Sequence, residues 1–511
     1  MKNIVTILLV SILGLTGCNL DYAPENTMVD QTVYKNEKTS EAALLGAYVC
    51  LQNFLSGAPQ GANHYPSYYS AFMFGDEGTD NLKAQSDNST ALAIETSNYT
   101  TNEHEGVLTS VYQNGYNTID YANNVISGIT KYGQYNKEMM AQHIAEARFI
   151  RAFAYLQMLQ IFGDRALQGN DNGSGLVIRL TPYEGYNPND VATRATNREV
   201  WQQIINDLSE NLESLPTTVP EIGKRVRANQ AVAKALLSRV YLYKGTYSHN
   251  AQELNLAAQY AADVLNTEGY SFAADSTEYS TNLFPLNEEN GTEPTSRSNE
   301  IIFFEASRLK ADLFPSGQYN YYEKKIVYVP ETMKEYYEPN DVRGFNAASD
   351  KAQDAYLLYK GSSSYYSNLI TTKKYSNNSY TDGNNDVLYI RLAEMKLTRA
   401  EALVRASETI TQEAIDLLND VHQRAFAESK RPSPYTLSSF SGTDSFLKTV
   451  LKERNRELAY ENHYRYDIER TNNAIGDVTM GNVEPAKWNA PIPDYEVRIS
   501  VGKITQNSGY K

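Results

Sequence analysis

Three tyrosines and a histidine crowd one short stretch, His64-Tyr65-Pro66-Ser67-Tyr68-Tyr69, and Asp76, Glu77, Asp80 and Asn81 follow closely. A flat aromatic face covers the apolar C–H side of a sugar ring, and neighbouring carboxylates and amides take its hydroxyls. The same aromatic density recurs at Tyr319, Tyr321 and Tyr322 and at Tyr365 and Tyr366. Tyrosine as a whole is in excess, 40 against 2 tryptophans, and many lie in Gly/Ser/Asn-rich segments where helix packing has no need of them. The candidate ligand set is therefore His64, Tyr65, Tyr68, Tyr69, Asp76, Asp80 and Asn81, with Tyr319 and Tyr321 as a second wall. The competing reading is that these rings pack the loops or contact a partner protein.

A second cluster invites a catalytic reading and does not sustain one. Residues 453–470 carry paired carboxylates and His463, but acids and arginines alternating along a helix ordinarily form a salt-bridge network. A glycosidase needs two carboxylates ~5–10 Å apart across the sugar, and among 61 acids no pattern singles out such a pair. HExxH, GxSxG, Walker A and paired CxxC motifs do not occur. Asp382-Gly383-Asn384-Asn385-Asp386 has the composition of a cation-binding turn, and more simply that of a turn. The expectation is a binding protein rather than an enzyme, without catalytic residue, metal or cofactor. A surface hydrolase and a pure interaction scaffold remain the alternatives of different class.

The chain carries its own address. Met1-Lys2-Asn3 precedes an apolar run from Ile4 to Leu15, too short for a spanning helix of ~20 residues and right for a secretory signal. It ends in Leu15-Thr16-Gly17-Cys18, a lipobox, so residues 1–17 read as a signal peptide and Cys18 as the lipid anchor. Residues 18–34 read as a polar tether. Cys50 is then the only other cysteine; no disulfide framework is possible, and its place in the helical pattern Leu44, Ala47, Tyr48, Leu51 makes it a core residue. A net charge of −15 argues against nucleic-acid binding. No later apolar run is long enough to span a bilayer as a helix, so any transport role needs a pore supplied by another protein.

The elements that position these residues are mostly helical. Residues 137–162 carry two apolar stripes, Ala147, Ile150, Ala154 and Phe149, Phe153, Leu156, the mark of a helix buried between neighbours. Residues 196–215 open on the capping box Thr196-Asn197-Arg198-Glu199 and place Trp201 on a core face. Two helical hairpins, 228–245 with 251–266 and 388–405 with 411–426, put alanines at their crossings, a degenerate tetratricopeptide design. Residues 56–101 and 267–387 interrupt the pattern as loop-rich insertions, with strand-like pieces at 301–305 and 325–329. Insertions on a helical-repeat scaffold are where specificity resides. The expected architecture is a mostly α, tetratricopeptide-like scaffold over a single domain, 35–511.

Taken in order, several motifs have a familiar arrangement: the lipobox with Leu20-Asp21, Ala145-Glu146-Ala147-Arg148-Phe149-Ile150-Arg151-Ala152 closing on Phe162-Gly163-Asp164, and Arg391-Leu392-Ala393-Glu394. The most specific is Glu453-Arg454-Asn455-Arg456-Glu457-Leu458-Ala459-Tyr460-Glu461 with Arg465, Asp467 and Arg470. With these motifs the chain resembles the SusD/RagB family of nutrient-binding outer-membrane lipoproteins of Bacteroidetes. It departs from the family at Asn462, where glycine is usual, and at Asn455, where arginine is common. The resemblance implies a lipid-anchored, surface-exposed lid over a TonB-dependent transporter of the SusC type, capturing oligosaccharides, or in some members peptides, for import. It carries over no ligand residue.

Overall fold

The computed structural model describes residues 30–57, 70–86, 88–99, 102–185, 192–284, 297–305, 327–346, 356–360, 369–374, 386–472 and 483–510. The helices that matter below are α1 (Glu37–Ser56), α2 (Ser89–Thr96), α3 (Asn102–Tyr132), α4 (Lys137–Phe162), α5 (Asn197–Ser209), α6 (Gln230–Ser248), α7 (Ala251–Leu265), α8 (Leu392–Ser407), α9 (Gln412–Arg424), α10 (Thr443–Leu458), α11 (Tyr464–Arg470) and α12 (Asp494–Ile499). Among the described residues, no helix is long and apolar enough to cross a membrane.

Helix α4 matches the expected span and is the hub. Its two stripes bury against α1, α3 and α5, and from Phe149 to Phe162 every side chain is buried. Helix α5 has the capping box, with Thr196 Oγ1 accepting from Glu199 N and the Glu199 carboxylate accepting from Thr196 N, and Trp201 is fully buried. The hairpins α6/α7 and α8/α9 are present, and α7 also packs along α8, which links the two. Alanines at the crossings (Ala235, Ala258, Ala400, Ala414) are wholly buried, or nearly so, which lets the backbones approach closely. Long α3 has no counterpart in the sequence reading, because Gly106, Gly115 and Gly128 dilute its apolar stripe.

Three boundaries move. The helix expected over 196–215 ends at Ser209, and Leu212–Ser214 is a separate 3-10 turn. The second hairpin does not begin at 388: Val387–Arg391 is a strand, and the helix starts at Leu392. Val387, Tyr389 and Ile390 are β-branched or aromatic residues, and a helical stripe drawn through Ile390 was in phase only by coincidence. The tether is also shorter than expected. Asp30–Val33 is already a helical turn, and Tyr34 is buried so tightly against Gly128 that a Cβ there would lie 2.1 Å from its ring.

The strands are short: β1 (Lys83–Ala84), β2 (Ile301–Glu305), β3 (Val327–Tyr328), β4 (Leu358–Lys360), β5 (Ile370–Thr372) and β6 (Val387–Arg391). They form antiparallel pairs β1–β3, β2–β6 and β4–β5. The first pair joins the two insertions, with Lys83 opposite Tyr328 and Ala84 opposite Val327.

Candidate functional site

The site begins with a turn that leaves the surface. Ala71–Gly75 is a buried 3-10 turn, driven inward by Phe72, Met73 and Phe74. The Asp76 carboxylate then receives the backbone N–H of Tyr460 at 3.1 Å, that of Asn462 at 2.9 Å and the Asn81 amide at 3.1 Å. Burial pushes its pKa up to about 6 against the opposing pull of these three donors. Asn81 pairs reciprocally with Asn455, Nδ2 to Oδ1 at 2.7 Å and back at 3.1 Å. Asp76 and Asn81, expected as ligand contacts, are both buried and hydrogen-bonded to the C-terminal motif. Asp80 is partly exposed, with Lys83 Nζ at 4.0 Å, and is the one described member of the candidate set at the surface. His64, Tyr65, Tyr68, Tyr69, Tyr319 and Tyr321 lie outside the described residues, as does Cys18.

What flanks those tyrosines is described. Ser56 Oγ and Tyr389 OH are 2.6 Å apart, and the same tyrosine donates to Glu305 Oε2 at 2.7 Å, so Ser56 is the donor to it. Phe72 meets the Tyr389 ring edge-on at 5.8 Å. Ser56 and Phe72 bracket residues 58–69, while Glu305 and Val327 bracket 306–326. With β1 against β3, the entry and exit of both aromatic segments rest on a common base. The Glu95 carboxylate supports β1 by accepting from Ala84 N at 2.6 Å and pairing with Lys83 at 3.3 Å.

Beneath this base lies the 453–470 cluster, and it is an ion network as expected, although most partners come from elsewhere in the chain. Glu457 receives Arg391 at 2.5 Å, Arg343 at 3.0 Å and Arg424. Arg391 also reaches Glu300 at 2.8 Å and Glu461 at 2.7 Å, and Lys374 binds Glu461 at 2.5 Å. Arg470 clamps Glu401 in a bidentate pair at 2.6 and 2.8 Å. The facing arginines hold the Glu457 and Glu401 carboxyls well below the usual range in spite of burial. His463 is buried, and burial together with Arg239, Arg454, Arg391 and Lys374 pushes its pKa well below the usual histidine range. Each of these carboxylates is buried and paired with arginine or lysine. Among the described residues no group of three or more His, Cys, Asp or Glu is placed to hold a metal ion. Asp386, the end of the cation-like turn, is bound to Arg297 at 2.6 Å. Cys50 is half-buried, and burial pushes its thiol up to about 11, an unreactive setting.

Sequence reasoning missed a groove altogether. It runs between α3, the extended residues 176–183 and the C-terminal residues 496–504, and encloses about 350 Å³. Its signal was available: Gln113 and Asn117 are polar and one helical turn apart, beside the buried Tyr112 and the partly buried Tyr116, whose rings are 4.8 Å apart.

Helical hairpins with insertions returning to one base define a class of repeat-scaffold proteins that carry long loops on a helical framework. The chain belongs to the SusD family, whose model matches residues 237–510. A second model, described as starch-binding and associating with the outer membrane, matches residues 30–242. A SusD-like protein of Bacteroides ovatus is 25% identical over 540 residues, covering 99% of this chain and 88% of its own length. A SusD superfamily protein of Bacteroides vulgatus superposes with a TM-score of 0.70 at 19% identity, covering 94% of this chain and 100% of the other. A laminarin-binding SusD-like protein superposes with a TM-score of 0.67 at 20% identity, covering 93% and 100%.

Proposed function

We propose that this protein is a lipid-anchored, surface-exposed glycan-binding protein that captures oligosaccharides and hands them to a TonB-dependent transporter. The observation that carries the reading is the common base. One tyrosine hydroxyl, Tyr389, holds both Ser56 and Glu305, so the two tyrosine-bearing segments start from one patch. In this reading Tyr65, Tyr68 and Tyr69, with His64, form one wall of the ligand site and Tyr319 and Tyr321 the other. Asp80 supplies hydroxyl contacts from the rim, while Asp76 and Asn81 anchor the loop from below. Cys18 carries the lipid, and the pore belongs to the transporter. The outer-membrane association in the description of the matching family model and the laminarin-binding neighbour both support this assignment. The protein carries out no hydrolysis in this scheme.

The test is calorimetric titration against glycan and peptide panels. Tyr65→Ala/Tyr68→Ala should nearly abolish glycan binding, and each single change should weaken it roughly fivefold to tenfold, the effect of losing one aromatic contact. Unchanged affinity in the double variant, or binding confined to peptides, would overturn the assignment.

A further inference from the structure

The groove on α3 is a built site, and its construction shows what it can hold. Residues 176–183 run extended across α3 and α4, and side chains from the helices grip alternate residues of the strap. Tyr116 OH accepts from Val177 N at 2.9 Å and donates to Val177 O at 3.0 Å. Tyr155 OH does the same for Arg179 at 2.7 and 3.0 Å. Asn123 Nδ2 donates to the carbonyls of Arg179 and Thr181, both at 3.1 Å, and Asp120 Oδ1 accepts from Tyr183 N at 2.7 Å. Those polar groups are consumed in fixing the wall.

Other groups are left to the groove. The Gln113 and Asn117 carboxamides stand exposed on α3, and the exposed Arg179 guanidinium makes no ion pair among the described residues. Glu496, which has a partner of its own, lines the groove from α12. Tyr183 is pinned at its backbone, yet 63% of it is exposed, at the mouth of the groove. Its ring is therefore accessible to a ligand entering the groove. None of these residues belongs to the base shared by the two insertions.

We infer that this groove is a second ligand site, separate from the tyrosine-bearing insertions, and that it takes a neutral oligosaccharide. Only the choice of a glycan rests on the function proposed above. Each carboxamide offers a donor and an acceptor together, which is what adjacent sugar hydroxyls require. The Tyr183 face suits the C–H side of a pyranose ring. The walls carry one cation, Arg179, against two carboxylates, Asp120 and Glu496, and the chain as a whole is at −15, so a polyanionic glycan is disfavoured. The volume falls within the ~300–1,000 Å³ of small-molecule sites.

The experiment titrates the full-length lipidated protein in detergent with laminarihexaose, maltohexaose and mannohexaose, and with hexagalacturonate as the anionic control. Three proteins are compared: wild type, Asn117→Ala/Tyr183→Ala, and Tyr65→Ala/Tyr68→Ala. All changed groove side chains are exposed, and Gln113→Ala serves as a milder second probe. A neutral hexasaccharide should bind wild type at more than one site. The groove variant should lose one event by at least about fivefold, and the Tyr65/Tyr68 variant should keep that event. Neutral binding that depends on Tyr65 and Tyr68 alone sinks the groove and leaves the capture site standing. Binding lost only in the groove variant sustains the groove and displaces the capture site. Groove-dependent binding of hexagalacturonate alone, or no binding of any neutral hexasaccharide, overturns the inference.

Discussion

Asp76 shows how a carboxylate can look like a ligand contact and be a structural pin. Its partners at 460 and 462 lie more than 380 positions away, so no local pattern could reveal them. Asn462 was legible only as a departure. The structure explains it: Asn462 has φ 66° and Tyr460 φ 70°, left-handed positions that asparagine tolerates better than most residues. Gly75 permits the approach, since a Cβ there would sit 2.4 Å from Asn462 Cα. Asp76→Asn puts an amide donor against backbone donors and should lower stability by about 1–3 kcal/mol in urea unfolding; a neutral effect would mean the carboxylate is not what holds this turn. Gly75→Ala should be at least as damaging, and Asn462→Gly should fail to rescue it because the clash is with main chain. Rescue would show that the contact is only with the side chain.

At the scale of elements, small residues and periodicity made the hairpins legible: Ala393, Leu397, Ala400 and Val404 do bury against Ala414, Leu418 and Val421. Leu418→Ala should cost about 2–5 kcal/mol by opening a cavity there. The β2–β6 pair was half legible. Ile301–Glu305 reads as a strand, but its partner at 387–391 hides in a helical pattern, because a short apolar run carries no decisive period. That partner also supplies Tyr389, the residue on which the proposed site depends. Tyr389→Phe keeps a ring that packs against Phe72, Phe153 and Phe303 and deletes only the hydroxyl. It should stay folded with a loss of roughly 1–2 kcal/mol and weaken glycan binding severalfold in calorimetry. Full affinity would mean the two segments do not depend on a common base.

For the molecule as a whole, buried and partly buried carboxyls split into two groups with opposite pH behaviour. Burial raises Asp76 to about 6 and Glu469 to about 7. The folded state holds these protons more tightly than the unfolded chain, so the stability they contribute is full below about pH 4 and is lost as pH rises through 6 and 7. Glu338 is lowered to about 2 by His422 and Arg456, and Glu401 and Glu457 lie lower still beside their arginines. Their contribution is full above about pH 4.5 and falls away towards pH 2. Stability should therefore peak near pH 5, with the melting temperature at pH 8 lower by at least about 2 °C. Glu469→Gln should flatten the slope between 5 and 8, and a melting temperature that rises across that range would refute the assignment. The anchor has its own test: Cys18→Ser should release the protein from the membrane fraction or leave it uncleaved.

The common base has a further meaning for how such a protein can change. Each aromatic segment is clamped at entry and exit, by Ser56 and the buried turn at 71–75 for one and by Glu305 and β3 for the other. Closing a loop between fixed ends costs only about 0.6 kcal/mol more each time its length doubles. The stretch between the clamps can thus be lengthened, shortened or replaced outright while the ion-paired framework below is untouched. On the proposed function, the architecture is a socket: one chassis takes a new ligand by exchange of two cassettes, and replacing residues 58–69 and 306–326 together with the corresponding segments of a relative should transfer that relative's ligand preference, as titration of the chimera would show.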